Sequence, residues 1–308
     1  MTKSQPVKYL QTPPVLLMVF RRPDLTRQML ESIRQARPVR LYVACDGPRS
    51  GHPDDVEKVG AVRDVVREFS EELHPITLFQ ETNLGCGKGV SRAISWFFEQ
   101  EEEGIILEDD CLPDPSFYRF CGEMLSRYRN TSNVMQVAGY NHISGRFDQG
   151  ADYFFTHYGW QWGWATWRRA WNHFDLEMSS WPEFKQMGLH RGPTFYPKRV
   201  KVFDDMYAGK CDTWDYQWHY AIASNSGLSV VPRFSLVQNI GFGVGATHCS
   251  VVRGRESNRV PVQAMSFPLR HSKFVYADPK YDQMLMRAVH HRSALAKFKS
   301  LVVALLRR

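Results

Sequence analysis

The residue pattern predicts an α/β fold built on a doubly wound, mostly parallel sheet, and three observations carry the prediction. Apolar runs of strand length alternate with helix-period segments through the first 140 residues. The residues with unusual chemistry fall just after the apolar runs, where the carboxyl ends of strands would lie. The apolar share, 43% of 308 residues, is enough for a large buried core.

The elements follow in order. An apolar run at 15–20 precedes a helical pattern at 24–36, and a second run at 40–45 precedes one at 54–69. A third strand at 76–80 leads to a helix at about 88–100, then a strand at 104–108, a helix at 114–129 and a strand at 134–138. Strands that alternate with helices in this way make parallel βαβ units. Ligands then bind in the crevice beyond the strands' carboxyl ends. Four loops are expected there: Arg21 and Arg22 after the first strand, Asp46 after the second, Asn83 to Gly89 after the third, and Asp109 and Asp110 after the fourth.

The fourth loop is the most informative. Gly104-Ile105-Ile106-Leu107-Glu108-Asp109-Asp110 is an apolar strand that emerges into three acids. Such a strand end calls for a positive partner, and Mg2+ or Mn2+ suits hard oxygen ligands while keeping positions open for a diphosphate. A solvated strand-to-turn junction is the competing explanation. Asp46-Gly47-Pro48 is likewise an ordinary turn sequence. Gly85, Gly87 and Gly89 resemble a phosphate loop but lack the spacing of the dinucleotide and Walker motifs.

Beyond residue 150 the composition shifts to aromatic. Trp160, Trp164, Trp167 and Trp171 share one face if the segment is helical, which predicts a packed seam. Within Gly159-Trp160-Gln161-Trp162-Gly163, Trp160 and Trp162 are expected on a sugar-facing loop. Asp212 and Asp215 precede a helix that ends near Gly227. One of them can serve as a cap, which leaves the other for proton transfer. His248 follows a glycine-rich segment from Asn239 and is a candidate for the metal or the phosphates.

Taken as an ordered set, these motifs resemble nucleotide-sugar glycosyltransferases of the GT-A fold, close to the inverting N-acetylglucosaminyltransferase I type and the bacterial family 2 enzymes. The resemblance runs over about residues 13 to 250. It implies a metal-dependent transfer of a sugar from a nucleoside-diphosphate sugar, with a UDP-sugar favoured over a GDP-sugar, to a glycan or lipid-linked acceptor. Asp110 would bind the metal, Glu108 and Asp109 would approach the donor, Asp46 would meet the base, and Phe20, Arg21 and Arg22 would frame it. Asn83, Gly85 and Lys88 would line the ribose and diphosphate. Asp215 would be the general base, with Asp212 the alternative. The same resemblance divides the chain into a donor-binding half over 1–140, an acceptor and catalytic half over 141–260 and an extension over 261–308.

Composition limits the rivals. Net charge of +7 and pI near 9.1 favour an anionic partner, but no nucleic-acid-binding signature appears. A sugar-phosphate nucleotidyltransferase would carry a glycine-rich, Arg-containing loop after the first strand, where this chain has Arg21-Arg22-Pro23. A non-catalytic carbohydrate-binding protein would use the tryptophans and have no need of the acids. The six cysteines show no Cys-x-x-Cys spacing, and the first 14 residues lack the apolar core of a secretory signal. A cytoplasmic protein is expected. Its basic amphipathic tail, 282–308, would rest on a docked surface or on the inner face of a membrane.

Overall fold

The computed structural model describes residues 11–192, 194–241 and 260–289. Strands β1 (Val15–Val19), β2 (Leu41–Cys45), β3 (Ile76–Phe79) and β4 (Glu103–Glu108) alternate with helices α1 (Pro23–Ala36), α2 (Pro53–Glu68), the short α3 (Ser70–Leu73) and α4 (Gly85–Gln100). Then come β5 (Cys111–Pro113), α5 (Pro115–Tyr128), β6 (Val134–Ala138), β7 (Tyr153–Thr156) and β8 (Trp164–Trp167). The rest comprises α6 (Arg168–Trp171), α7 (Trp181–Gln186), α8 (Pro197–Tyr207), α9 (Asp215–Ser224), β9 (Leu228–Pro232), β10 (Val237–Asn239) and a terminal helix over 279–289. Proline opens α1, α2 and α5, where its missing N–H costs no hydrogen bond. Asp114 caps α5 by accepting from the Ser116 amide at 2.9 Å.

Eight strands form one sheet in the order β3-β2-β1-β4-β8-β6-β9-β7, and β5 pairs with β10 beside it. Pairings within the sheet orient six of the eight strands alike, with β7 and β8 reversed. Strand alternation divides the core. Val15, Leu17 and Val19 join α1, α2 and α5 on one face, while Leu16 and Met18 join α4 and α9 on the other.

The tryptophan segment departs from the helical expectation. Trp164 and Trp167 lie in β8, which fills the gap between β4 and β6 and takes antiparallel partners on both sides. The ladder prevails over the helical period, so the two side chains point to opposite faces. Trp164 stacks on Trp214 at 5.7 Å, whereas the Trp167 indole donates to the Leu125 carbonyl at 3.1 Å. Both are buried. Helix α4 also begins earlier than expected, with Gly85, Gly87 and Lys88 in its first turn.

Asp55, at the start of α2, ties two crevice loops together from beneath. Its fully buried carboxylate accepts from Arg49 at 2.6 and 3.0 Å and pairs with Arg21 at 3.3 Å. The Arg49 bond holds this carboxyl down at about 2. A depressed acid contributes stability above its unfolded value and loses it as pH falls through the folded one. Asp55→Asn is therefore expected to destabilise the protein at pH 6, with the deficit shrinking between about pH 4 and pH 2. Denaturant unfolding of the two proteins across that range checks it.

Candidate functional site

The site is assembled at the carboxyl edge of β1 to β4, around the acids that end β4. Arg22, the residue before α1, forks across two of them. One guanidinium nitrogen donates to Asp109 Oδ1, and another donates to Asp110 Oδ2 at 2.9 Å. A bidentate guanidinium suits this role better than an ammonium would. Burial works against the Arg22 charge, yet the two carboxylates hold it above its usual value.

That one cation does not satisfy the cluster. Burial lifts the Asp109 carboxyl to about 6 against the pull of Arg22, and its buried Oδ2 has no hydrogen-bond partner. Burial and then the charges of Asp110 and Asp109 lift Glu108 to about 8. Asp215, at the first position of α9, adds to the repulsion on Glu108. Asp110 is fixed by its backbone carbonyl, which accepts from the Ile240 amide at 2.7 Å, and by the Asn239 side chain at 3.5 Å. A Cβ at Gly241 would lie 2.2 Å from Asp110 Oδ2, so only glycine fits there.

The other loops join through different carboxylates. Asp46 accepts from Asn83 Nδ2 at 2.9 Å, from the Gly47 amide at 2.8 Å and from the Leu84 amide at 3.0 Å. Burial raises its carboxyl despite these amides. Both of its oxygens thus bind the loop before α4. Phe20 lies under the Arg49 guanidinium, 5.7 Å from the ring, and Arg21 turns away to Asp55. Lys88 is exposed on the first turn of α4.

Asp212 occupies the start of α4. Its two oxygens accept from the Cys86 and Gly87 amides at 2.8 and 2.7 Å, completing the first turn as an anion does at a helix N-terminus. The glycines have a local reason. Gly85 has φ +82°, and a Cβ there would sit 2.5 Å from Asp212 Oδ2, while one at Gly87 would sit 2.8 Å from Oδ1. Asp215, three residues on, accepts from the Thr213 hydroxyl through Oδ1.

Trp160 and Trp162 approach from the other half of the sheet. Trp160 stacks on His142 at 5.0 Å, and Trp162 meets the edge of Tyr140 at 4.7 Å. Beneath them runs a buried amide network that the sequence reading missed. Gln136 donates to the Trp160 carbonyl at 3.1 Å, and its Oε1 accepts from Trp218 at 2.7 Å and Gln161 at 3.2 Å. A glutamine inside the apolar strand Val-Met-Gln-Val-Ala was its only signal. Arg22 as the counter-ion and Asn239 as a support for Asp110 were also missed. His248 lies outside the described residues, where the metal proposal for it cannot be placed.

Fold and site together define an α/β protein with a mostly parallel sheet flanked by helices and a cluster of acids at the carboxyl edge of its parallel strands. No protein-family profile and no curated protein matches the chain. Among solved structures it is similar to S. aureus TarS, at 14% identity and a TM-score of 0.31, over 46% of this chain and 24% of that one. It is also similar to the inositol-1-phosphate CTP transferase from T. maritima, at 10% identity and a TM-score of 0.35, over 74% and 87% of the two chains. The chain thus spans about a quarter of the TarS chain. Both likenesses are distant, and the α/β class rests on the sheet's own order and directions.

Two outcomes follow from the acid cluster. Arg22→Met leaves buried carboxylates without their cation and is expected to cost about 3 kcal/mol in denaturant unfolding at pH 7. Glu108→Gln is expected to act in the opposite sense. A carboxyl raised in the folded state stabilises below its unfolded value, 4.5, and that stability drains away as pH rises toward 8. The variant should melt like the parent at pH 4.5 and above it at pH 8, both measured in a chelating buffer.

Proposed function

We propose that this chain is a glycosyltransferase that moves a sugar from a nucleoside-diphosphate sugar to an acceptor hydroxyl, with inversion at the anomeric carbon. The observation that carries the reading is the set of under-bonded carboxylates at the sheet's carboxyl edge: Asp109 Oδ2 has no partner, and Glu108 is raised by burial and then by its acidic neighbours, Asp215 among them. Such an arrangement is costly for a purely structural junction and suits a site that receives positive charge with its substrate.

Among the described residues no group of three or more His, Cys, Asp or Glu side chains is arranged to hold a metal ion, so Asp110 would meet Mg2+ or Mn2+ as a single carboxylate, with the substrate phosphates supplying further ligands. Bound there, the ion would neutralise the leaving diphosphate. Arg22 keeps Asp109 and Asp110 in place and presents its own charge to the same crevice. The Asp46 and Asn83 network shapes the wall where the nucleoside would lie, and a UDP-sugar is the favoured donor. Trp160 and Trp162 offer aromatic faces to a sugar ring.

Asp215 would take the proton from the acceptor hydroxyl as it attacks. Its Oδ1 is held by Thr213, which fixes the carboxylate's orientation. Asp212 is the weaker candidate for that role, since both its oxygens are engaged by the amides of α4. With Asp215 as the base, Asp109 and Asp110 paired with Arg22 and Asp212 engaged by the α4 amides, single displacement is the economical outcome.

Thermal melting with UDP and with GDP, each with and without Mn2+, tests donor and metal together. The expected result is stabilisation by UDP only when the ion is present, lost in Asp110→Ala. Absence of a shift with either nucleotide would favour a carbohydrate-binding protein. Asp215→Asn is expected to keep the UDP shift and lower transfer by about a thousandfold or more, whereas Asp212→Ala should lower stability and transfer together. Normal turnover by Asp215→Asn would place the base elsewhere.

A further inference from the structure

We propose that the loop of Lys273, Phe274, Val275 and Tyr276 is a docking surface for an anionic lipid bilayer. Phe274 and Tyr276 are 68% and 73% exposed and Val275 is 40% exposed. The other exposed large apolar side chains among the described residues are scattered, with no three adjacent. Single exposed apolar residues are ordinary, but a run of three at a loop tip is not.

The loop is held firmly at both ends. Arg270 clamps Asp152 through its amide at 2.7 Å and its guanidinium at 2.7 and 3.1 Å. His271 bonds the Tyr153 hydroxyl at 3.0 Å and pairs with Glu123 at 3.2 Å. Beyond the tip, Ala277 bridges to Phe155 on the edge strand β7, and the Asp278 amide donates to the Phe155 carbonyl at 2.9 Å. The Ser272 hydroxyl donates to the Phe274 carbonyl at 2.9 Å within the loop itself. The backbone is thus anchored while the aromatic side chains project outward.

Charge selects the occupant. Among the described residues 260–289, four Lys and Arg stand against two Asp and Glu, a balance of +2. Lys273 lies 5.5 Å from the Phe274 ring, and Lys280 opens the terminal helix close by. Three apolar side chains are far too few for a protein interface, which needs about 800 Å² per partner. A lipid surface needs less: each nearby Lys or Arg contributes about 1 kcal/mol at an anionic leaflet, and a Tyr or Phe wedge adds to it at the headgroup boundary.

Sedimentation of the intact protein with vesicles tests the proposal, using pure phosphatidylcholine and phosphatidylcholine with one part in three (about 33%) phosphatidylglycerol. Association is expected with the anionic vesicles alone and should weaken with added salt. The double variant Phe274→Ser with Tyr276→Ser should partition about tenfold less while melting at the parental temperature, since neither ring is buried. No association with anionic vesicles would overturn the proposal, and so would a double variant that partitions like the parent. It would equally fall if the parent formed a dimer that the double variant loses, because a second copy of the chain would then be the occupant.

Discussion

The constraint on which the site depends is electrostatic: three carboxylates end one buried strand, and a single guanidinium stands against them. Arg22 reaches Asp109 and Asp110 because β1 and β4 are parallel neighbours, so the residues just beyond their ends share one edge. One cation against three acids leaves a negative excess. Burial, reinforced by that excess, raises the carboxyls of Glu108 and Asp109, and one Asp109 oxygen is left unpartnered. A fold that keeps such a cluster gives up stability there, and sites that bind cations or transfer protons are where proteins commonly do so.

A second device holds the opposite wall. Asp212 spans 125 residues of sequence to sit on the amide of Gly87, and with the Cys86 amide it joins the chain before α9 to the start of α4. The segment between Asp212 and Asp215 is thereby fixed next to β4's acids. Trp214 packs under it against Trp164, which belongs to the strand beside β4. Core packing and the carboxylate latch therefore act on the same few residues. A disturbance of either should move Asp215 relative to Glu108, even though the latch and the packing involve neither carboxylate.

The first half of the fold was legible in sequence because β1, β2 and β4 are buried on both faces and they, like the more exposed β3, are bounded by helix-period segments. The runs at 134–138 and 76–80 match β6 and, to one residue, β3. The second half was not, because tryptophans spaced by three or four satisfy a helical period as well as a strand buried on both faces. Only the gap between β4 and β6 decides in favour of β8. In the site, the convergence of four loops could be read from strand ends, whereas the hydrogen bonds could not. Gly85 and Gly87 read as a phosphate loop in isolation, and their tight approach to Asp212 needs a partner more than a hundred residues away. Arg22 was visible as a crevice residue, but its pairing with two acids depends on a fork geometry that no spacing encodes.

Placement of charge connects the site to the rest of the surface. The crevice is rich in acid, while Arg270, Lys273, Lys280 and Arg287 give the described residues 260–289 a basic excess, so the chain's net charge of +7 does not describe the crevice. Tyr281 and Leu285 of the terminal helix are fully buried against Ile143, Phe147 and Phe154, so its first turns are committed to the domain. The exposed tip at Phe274 to Tyr276 lies just before this docked segment. Any surface that engages the tip therefore engages a part rigidly joined to the sheet, and the crevice would be held at a fixed orientation to it.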